Sequence, residues 1–217
     1  MKYRLLELPR VSDTDLNYGM RRARWLRHPV YACLGLRPAL AQHTAAEHAL
    51  LKGWAAGRKS LVEIGVAEGV SALALRESMA EGATLYLIDP FHLSRVPALN
   101  FMRRTAHKAA GDCRRGKVIW LQKFSHEAVH DWNAPIDFIL IDGDHSENAV
   151  ARDWEDWSKF VEREGIAVFH DARLFDGGWT KEDYGPVKLV NRLFRQRAAQ
   201  EWTIVEEVDS TVVVQRS

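Results

Sequence analysis

Short apolar runs recur along the chain from Lys59 onward, separated by stretches whose apolar positions fall at helical spacing. That alternation predicts a parallel sheet with crossover helices. The predicted strands are Leu61–Gly65, Thr84–Asp89, Lys117–Leu121, Ile136–Asp142 and Ile166–His170. Helices are predicted over Val70–Met79, Leu99–Ala110, Asn148–Glu162 and Val187–Ala198, with a short one near Ser125–His130. Two further apolar runs, Trp202–Val205 and Thr211–Gln215, close the chain around the polar stretch Glu206–Ser210. Strands joined so closely pair antiparallel. The expectation is an α/β fold with a seven-stranded mixed sheet and a C-terminal antiparallel hairpin. Residues 1–44 are expected to form a helical cap over the sheet edge or the active site, ahead of one domain spanning 45–217.

Composition narrows the class. A chain of 217 residues, 47% apolar and 27% charged, can build one globular core. A net charge of +1 gives no field that would draw nucleic acid or acidic lipid. The one basic cluster, Arg21, Arg22, Arg24 and Arg27, reads as a solvated helix face. The N-terminus lacks the apolar run of a signal peptide, and no stretch approaches the ~18 apolar residues of a membrane span. Cys33 and Cys113 have no metal or redox spacing, which fits a reduced cytoplasm. A homo-oligomer is compatible with these readings.

Open α/β sheets bind ligands beyond the C-terminal ends of their strands. The first strand runs out through Glu63-Ile-Gly65-Val-Ala-Glu-Gly69-Val-Ser71. Gly65 allows a tight turn, Gly69 lets the next helix start close to the strand, and free N–H groups there can meet an anion. Glu63 adds negative charge, which suits a cationic ligand and opposes a pyrophosphate. The second strand ends in Asp89, where a carboxylate can accept the hydroxyls of a ribose. Neither GxGxxG nor a P-loop lysine is present.

These residues carry a resemblance. Glu63–Ser71 is similar to the first motif of class I S-adenosylmethionine (SAM)-dependent methyltransferases, and Leu87-Ile-Asp89-Pro-Phe91 to their second. Ile141-Asp-Gly-Asp-His-Ser146 and Phe169-His-Asp171 resemble the fourth and fifth strand ends of their small-molecule O-methyltransferase branch, with its catechol-type and macrocin-type enzymes. The resemblance implies a Rossmann-like class I fold from about Ala45 to the C-terminus. It implies that Glu63 and Gly65 line the methionine moiety, that Gly69 and Ser71 begin the helix beneath it, that Asp89 holds the ribose, and that Gln122–Ser125 sit by the adenine. Ala67 stands where the family has its central glycine, and no acid stands in the adenine stretch, where Gln122 and Lys123 occur.

Methyl transfer needs a positioned acceptor and, for a hydroxyl, removal of its proton. Asp142 and Asp144 share strand parity, and Asp171 ends the neighbouring strand. Converging carboxylates repel unless a divalent cation relieves them, and oxygen ligands favour Mg²⁺ or Mn²⁺. Asp142 and Asp171 are therefore the expected ligands, with His170 either a third ligand or a partner that orients one. His170 departs from the acid or amide pair of catechol-type enzymes and shifts the preference from Mg²⁺ toward Mn²⁺, Fe²⁺ or Zn²⁺. Asp144 or His145 is the expected general base, Asp144 if a metal is present and His145 if not. His92, His107, His126 and His130 read as surface residues. The loop Ala172–Pro186 is too long for an ordinary βα connection and is expected to be a substrate lid, with Phe175, Trp179 and Tyr184 as contacts.

The expected function is metal-assisted O-methylation of a small hydroxylated molecule, a natural product, sugar or phenol, with neither nucleic acid nor membrane as partner. The alternatives are an NAD(P)-dependent oxidoreductase and a SAM-binding protein without catalysis.

Overall fold

The computed structural model describes residues 28–91 and 100–217. The basic cluster Arg21, Arg22, Arg24 and Arg27, the rest of the first 27 residues, His92 and Leu99 lie outside the described residues. The elements are α1 (Ala45–Ala55), β1 (Ser60–Ile64), α2 (Val70–Ser78), β2 (Thr84–Ile88), α3 (Phe101–Gly111), β3 (Lys117–Leu121), α4 (Ser125–Ala128), β4 (Ile136–Ile141), α5 (Glu147–Trp157), β5 (Val161–Phe169), α6 (Gly185–Val190), β6 (Trp202–Val208) and β7 (Thr211–Arg216). The sheet order is β3-β2-β1-β4-β5-β7-β6. Strands β1 to β5 pair parallel, and β7 enters antiparallel between β5 and β6. This is the expected seven-stranded mixed sheet with its terminal hairpin. No helix among the described residues is long and apolar enough to cross a membrane.

Central parallel strands are buried on both faces, so their apolar residues divide between two cores. In β4, Phe138 and Leu140 join the core beneath α1, α2 and α3, while Ile139 and Ile141 join that beneath α5 and α6. Leu61 and Val62 of β1 divide the same way. Glu63 has the parity of Leu61, which brings a fully buried carboxylate to the strand end.

Three boundaries differ from the expectation, each for a local reason. The helix predicted over Asn148–Glu162 stops at Trp157, passes through a 3₁₀ turn (Ser158–Phe160), and gives way to β5 at Val161. Val161 pairs with Ile136, and regular pairing resumes only at Phe138 with Ile166. The intervening polar residues Glu162, Arg163 and Glu164 are exposed, Glu164 at φ 61°. They hide the strand start from any reading of apolar alternation. The helix predicted over Val187–Ala198 is α6 followed by a π turn over Asn191–Arg195. In the hairpin, the polar stretch Glu206–Ser210 mostly belongs to β6, leaving only Asp209 and Ser210 between the strands.

Candidate active site

The C-terminal ends of β1, β2 and β4 open onto a cavity of about 880 Å³. Pockets for small molecules span roughly 300–1,000 Å³, so this one has room for a sizeable ligand. Gly65, Gly69, Ser71, Asp89, Ser125, Asp142, Asp144 and His145 all line it. The strand-end reading therefore brings residues from four separate segments into one space.

The first turn is shaped by close backbone approach. Gly65 sits at φ 87°, and a Cβ there would lie 2.0 Å from the Asp142 carbonyl oxygen. Only glycine lets the ends of β1 and β4 meet. Gly69, at φ 81°, caps α2, and a Cβ there would meet the Ala106 backbone at 2.9 Å. Its lack of a side-chain cap leaves the first N–H groups of α2 free for a ligand. Ala67 holds φ 46°, the left-handed conformation that a glycine would take without strain. Asp89 secures that strained turn. Its Oδ2 accepts from the Val66 and Ala67 amides at 2.9 and 3.2 Å, and its Oδ1 from the Phe91 amide at 2.7 Å. A carboxylate has about four acceptor sites, so roughly one remains for a ligand hydroxyl. The expectation that Asp89 is free for both ribose hydroxyls is revised accordingly.

Glu63 lies behind the wall. Ser71 donates to its Oε1, and its buried Oε2 has no partner among the described residues. Burial, together with the charges of Asp142 and Asp89, pushes its pKa well above the ordinary carboxylate range. Gln122 is exposed and off the cavity wall. Ser125 is on it, with its hydroxyl donated to Asp153.

The chemistry end is a knot of charges. His170 is buried, with Nδ1 3.1 Å from Asp142 Oδ1 and 3.5 Å from Asp171 Oδ1. His145 Nε2 lies 3.1 Å from Asp171 Oδ2 and 3.7 Å from Asp142 Oδ1, without hydrogen-bond geometry to either. Burial disfavours a charged His145, but Asp142 and Asp171 outweigh it and push its pKa up to about 10. His170 is likewise raised against the cost of burial, chiefly by the Asp142 charge, and Asp142 is lowered in return by His170 and His145. Asp171 holds φ 53°, and Trp179 donates its indole N–H to Oδ1 at 2.6 Å. Such strain in a non-glycine residue persists only where the surroundings fix it.

Asp144 behaves differently. It is exposed at the cavity rim, and its Oδ1 accepts from the Ser146 amide at 2.7 Å. The parity argument fails because β4 ends at Ile141, and alternation does not continue through the loop. In the expected lid, Trp179 reaches Asp171 and the Tyr184 ring stands 5.9 Å from that of His145, while Phe175 packs on Trp179. None of the three lines the cavity.

Several residues of the site escaped the sequence reading. Glu47 is fully buried and accepts from Thr44, Ser210 and Thr211, with His170 Nε2 at 3.6 Å. Burial would raise its pKa, but His170, Ser210 and Thr44 bring it down to about 2. Thr44 and Glu47 form a capping box, a pattern the sequence could have revealed. His43 and His126 line the cavity, the latter against the expectation of a surface residue. Burial, with the charge of His170, drops His43 to about 4. Glu68 binds the Leu40 amide at 2.8 Å and His28 Nδ1 at 2.8 Å, fastening the segment before α1 beside the cavity.

Asp153 of α5 also lines the cavity, and burial pushes its pKa up to about 6. Its ionisation destabilises the fold, so wild-type stability falls between about pH 4 and pH 6 while a neutral amide escapes the loss. Asp153→Asn is expected to stabilise the cofactor-free protein at pH 8 by on the order of 2–3 kcal/mol and to leave it unchanged at pH 4. Urea unfolding at both pH values checks this, and an equal effect at both would contradict it.

The sequence pattern of a methyltransferase-domain family matches residues 62–172, just over half of the chain. Solved structures share the fold. An O-methyltransferase from Bacillus cereus, in complex with SAH (S-adenosylhomocysteine), is 16% identical with a TM-score of 0.59, and 95% of each chain is covered. The O-methyltransferase TomG from Streptomyces achromogenes, in complex with SAM, is 14% identical with a TM-score of 0.60, over 89% of each chain. The N-methyltransferase NodS from Bradyrhizobium japonicum is 16% identical with a TM-score of 0.51, over 78% of this chain and 94% of its own. At such identity the likeness concerns the fold, and the accepting atom differs among the three. The antiparallel strand between β5 and β6 sets this sheet apart from the ordinary dinucleotide-binding one. The strand order, the Gly65–Asp89 cavity and the family match together make the chain a member of this methyltransferase-domain family, of the class I SAM-dependent type that its strand ends resemble.

Proposed function

We propose that the chain transfers a methyl group from SAM to a hydroxyl of a small molecule, with a divalent cation at Asp142, His170 and Asp171. One observation carries the reading: the Gly65–Ser71 turn, Asp89, Asp142 and His145 line the same cavity. A nucleoside site and a proton-handling site are thereby joined.

The donor set fits a cation. Two ligands in adjacent positions on an octahedral ion at about 2.1 Å stand about 3.0 Å apart. The His170–Asp142 and His170–Asp171 separations are 3.1 and 3.5 Å. Ligand atoms of Asp142 and His170 lie within 4.8 Å of one another and of His145, the proposed base. Glu47 beside His170 Nε2 matches the carboxylate that commonly orients a ligating histidine. A bound cation would neutralise the carboxylates that hold the His145 proton and acidify a hydroxyl it touches.

The chain's own residues supply the rest. Asp89 holds the ribose and the start of α2 faces the methionine carboxylate, while Glu63 lies behind the wall, off the cavity. His145, between Asp142 and Asp171, removes the acceptor proton, while Asp144 accepts from the amide of Ser146, the N-cap of α5. Leu40, Gln42 and His43 close the cavity from the segment before α1, as a cap would. Trp179 fixes Asp171 from the loop beside the acceptor.

Incubation with methyl-labelled SAM and a panel of phenols, catechols and sugars tests this, with Mg²⁺, Mn²⁺ or a chelator present. Label is expected on a hydroxyl, with at least a tenfold loss in chelator. Label on amines alone would remove the hydroxyl acceptor. Full rate in chelator would remove the cation from the proposal.

A further inference from the structure

The base end of the cavity lacks the acid expected after β3. Gln122 and Lys123 are exposed and off its wall. The wall there is built instead from α4, which follows β3, and from one face of α5: Ser125 and His126 on the first, Ala149, Arg152 and Asp153 on the second. β2 pairs with β3, so a nucleoside whose ribose meets Asp89 at the end of β2 projects its base toward α4.

Asp153 is the buried carboxylate at that place, 5% exposed. Its Oδ1 is taken by the Ser125 hydroxyl, its one side-chain hydrogen bond among the described residues. Oδ2 lies 3.3 Å from where a Cβ on Gly143 would stand, so the glycine of the Asp142–His145 loop leaves the space beside it open. The surrounding wall includes apolar Ile64, Ile88, Pro90 and Phe124. With Oδ1 taken, Oδ2 is the oxygen left open at the cavity wall, where it can accept from a donor on the ligand. Burial has already pushed its pKa up to about 6, and a donated N–H would offset that cost.

We propose that Asp153 is the specificity residue for the base of the cofactor, accepting a hydrogen bond from the exocyclic amine of adenine through Oδ2. Ser125 holds the carboxylate in place from α4. The acid missing after β3 is thus supplied from the helix after β4. The inference rests on the reading of the cavity as a SAM site.

The test compares SAH with S-inosylhomocysteine, in which the amine is replaced by a carbonyl oxygen. Both are titrated calorimetrically into the full chain. Wild type is expected to prefer SAH by about tenfold or more. Asp153→Ala should bring the two ligands within about threefold, and Asp153→Asn should do the same or invert the order, since an amide can donate to the carbonyl. A residue that merely supports α4 would weaken both ligands equally and leave the preference intact. That result in Asp153→Ala, or a wild type indifferent to the exchange, overturns the assignment while leaving the SAM site standing. A wild type that binds neither ligand overturns both.

Discussion

Replacing His145 with alanine is expected to slow methyl transfer by about 10²–10⁴-fold, the usual cost of losing a general base. The imidazole stands 3.1 Å from Asp171 and 3.7 Å from Asp142, and it lines the cavity. Its removal also leaves two carboxylates facing each other without its charge between them. Asp144→Asn should cost less than about tenfold by comparison, because an exposed carboxylate bound to the Ser146 amide can be replaced by its amide. Single-turnover rates at saturating SAM separate the two. Chemistry is then read apart from binding and product release. A drop below tenfold in His145→Ala, or a larger drop in Asp144→Asn, would return the base role to Asp144.

The second large effect is expected at Asp89. Its carboxylate lines the cavity and holds three backbone amides of the turn that shapes it. Alanine would strand the Val66, Ala67 and Phe91 amides and release the strained backbone at Ala67 and Phe91, both at φ 46°. The loss should exceed that of one ribose contact, reaching about 2–4 kcal/mol of SAH binding, or roughly 30–1,000-fold. Asp89→Asn keeps an acceptor and should fall between alanine and wild type. Calorimetry on variants whose circular dichroism matches wild type checks this. Unchanged affinity in Asp89→Ala would remove Asp89 from the site.

The parts of the site legible in the sequence are those fixed by strand geometry. Gly65, Asp89, Asp142 and Asp171 stand at or just beyond the ends of parallel strands, and such ends share one edge of the sheet whatever the helices do. His170 could be read the same way. The residues that escaped are held by contacts between distant parts of the chain. Glu47 meets Ser210 across 163 positions, and Asp153 meets Ser125 across 28. In both cases a charged residue in an amphipathic helix reads as solvated until its neighbours are known. For Asp144 the parity argument carried a period that holds within β4 past its last residue, Ile141, so its place at the cavity rim rests on the loop and not on the strand. The start of β5 was hidden because Glu162, Arg163 and Glu164 bulge out of the ladder. The hairpin was legible because the apolar runs of β6 and β7 lie too close together for a crossover.

Titration of SAH into the purified chain, followed by heat, tests most directly whether this cavity is a SAM site. Saturable one-to-one binding in the micromolar range, about −8 kcal/mol, is predicted, with SAM competing and NAD not. No saturable heat, or displacement of SAH by NAD, would contradict the account.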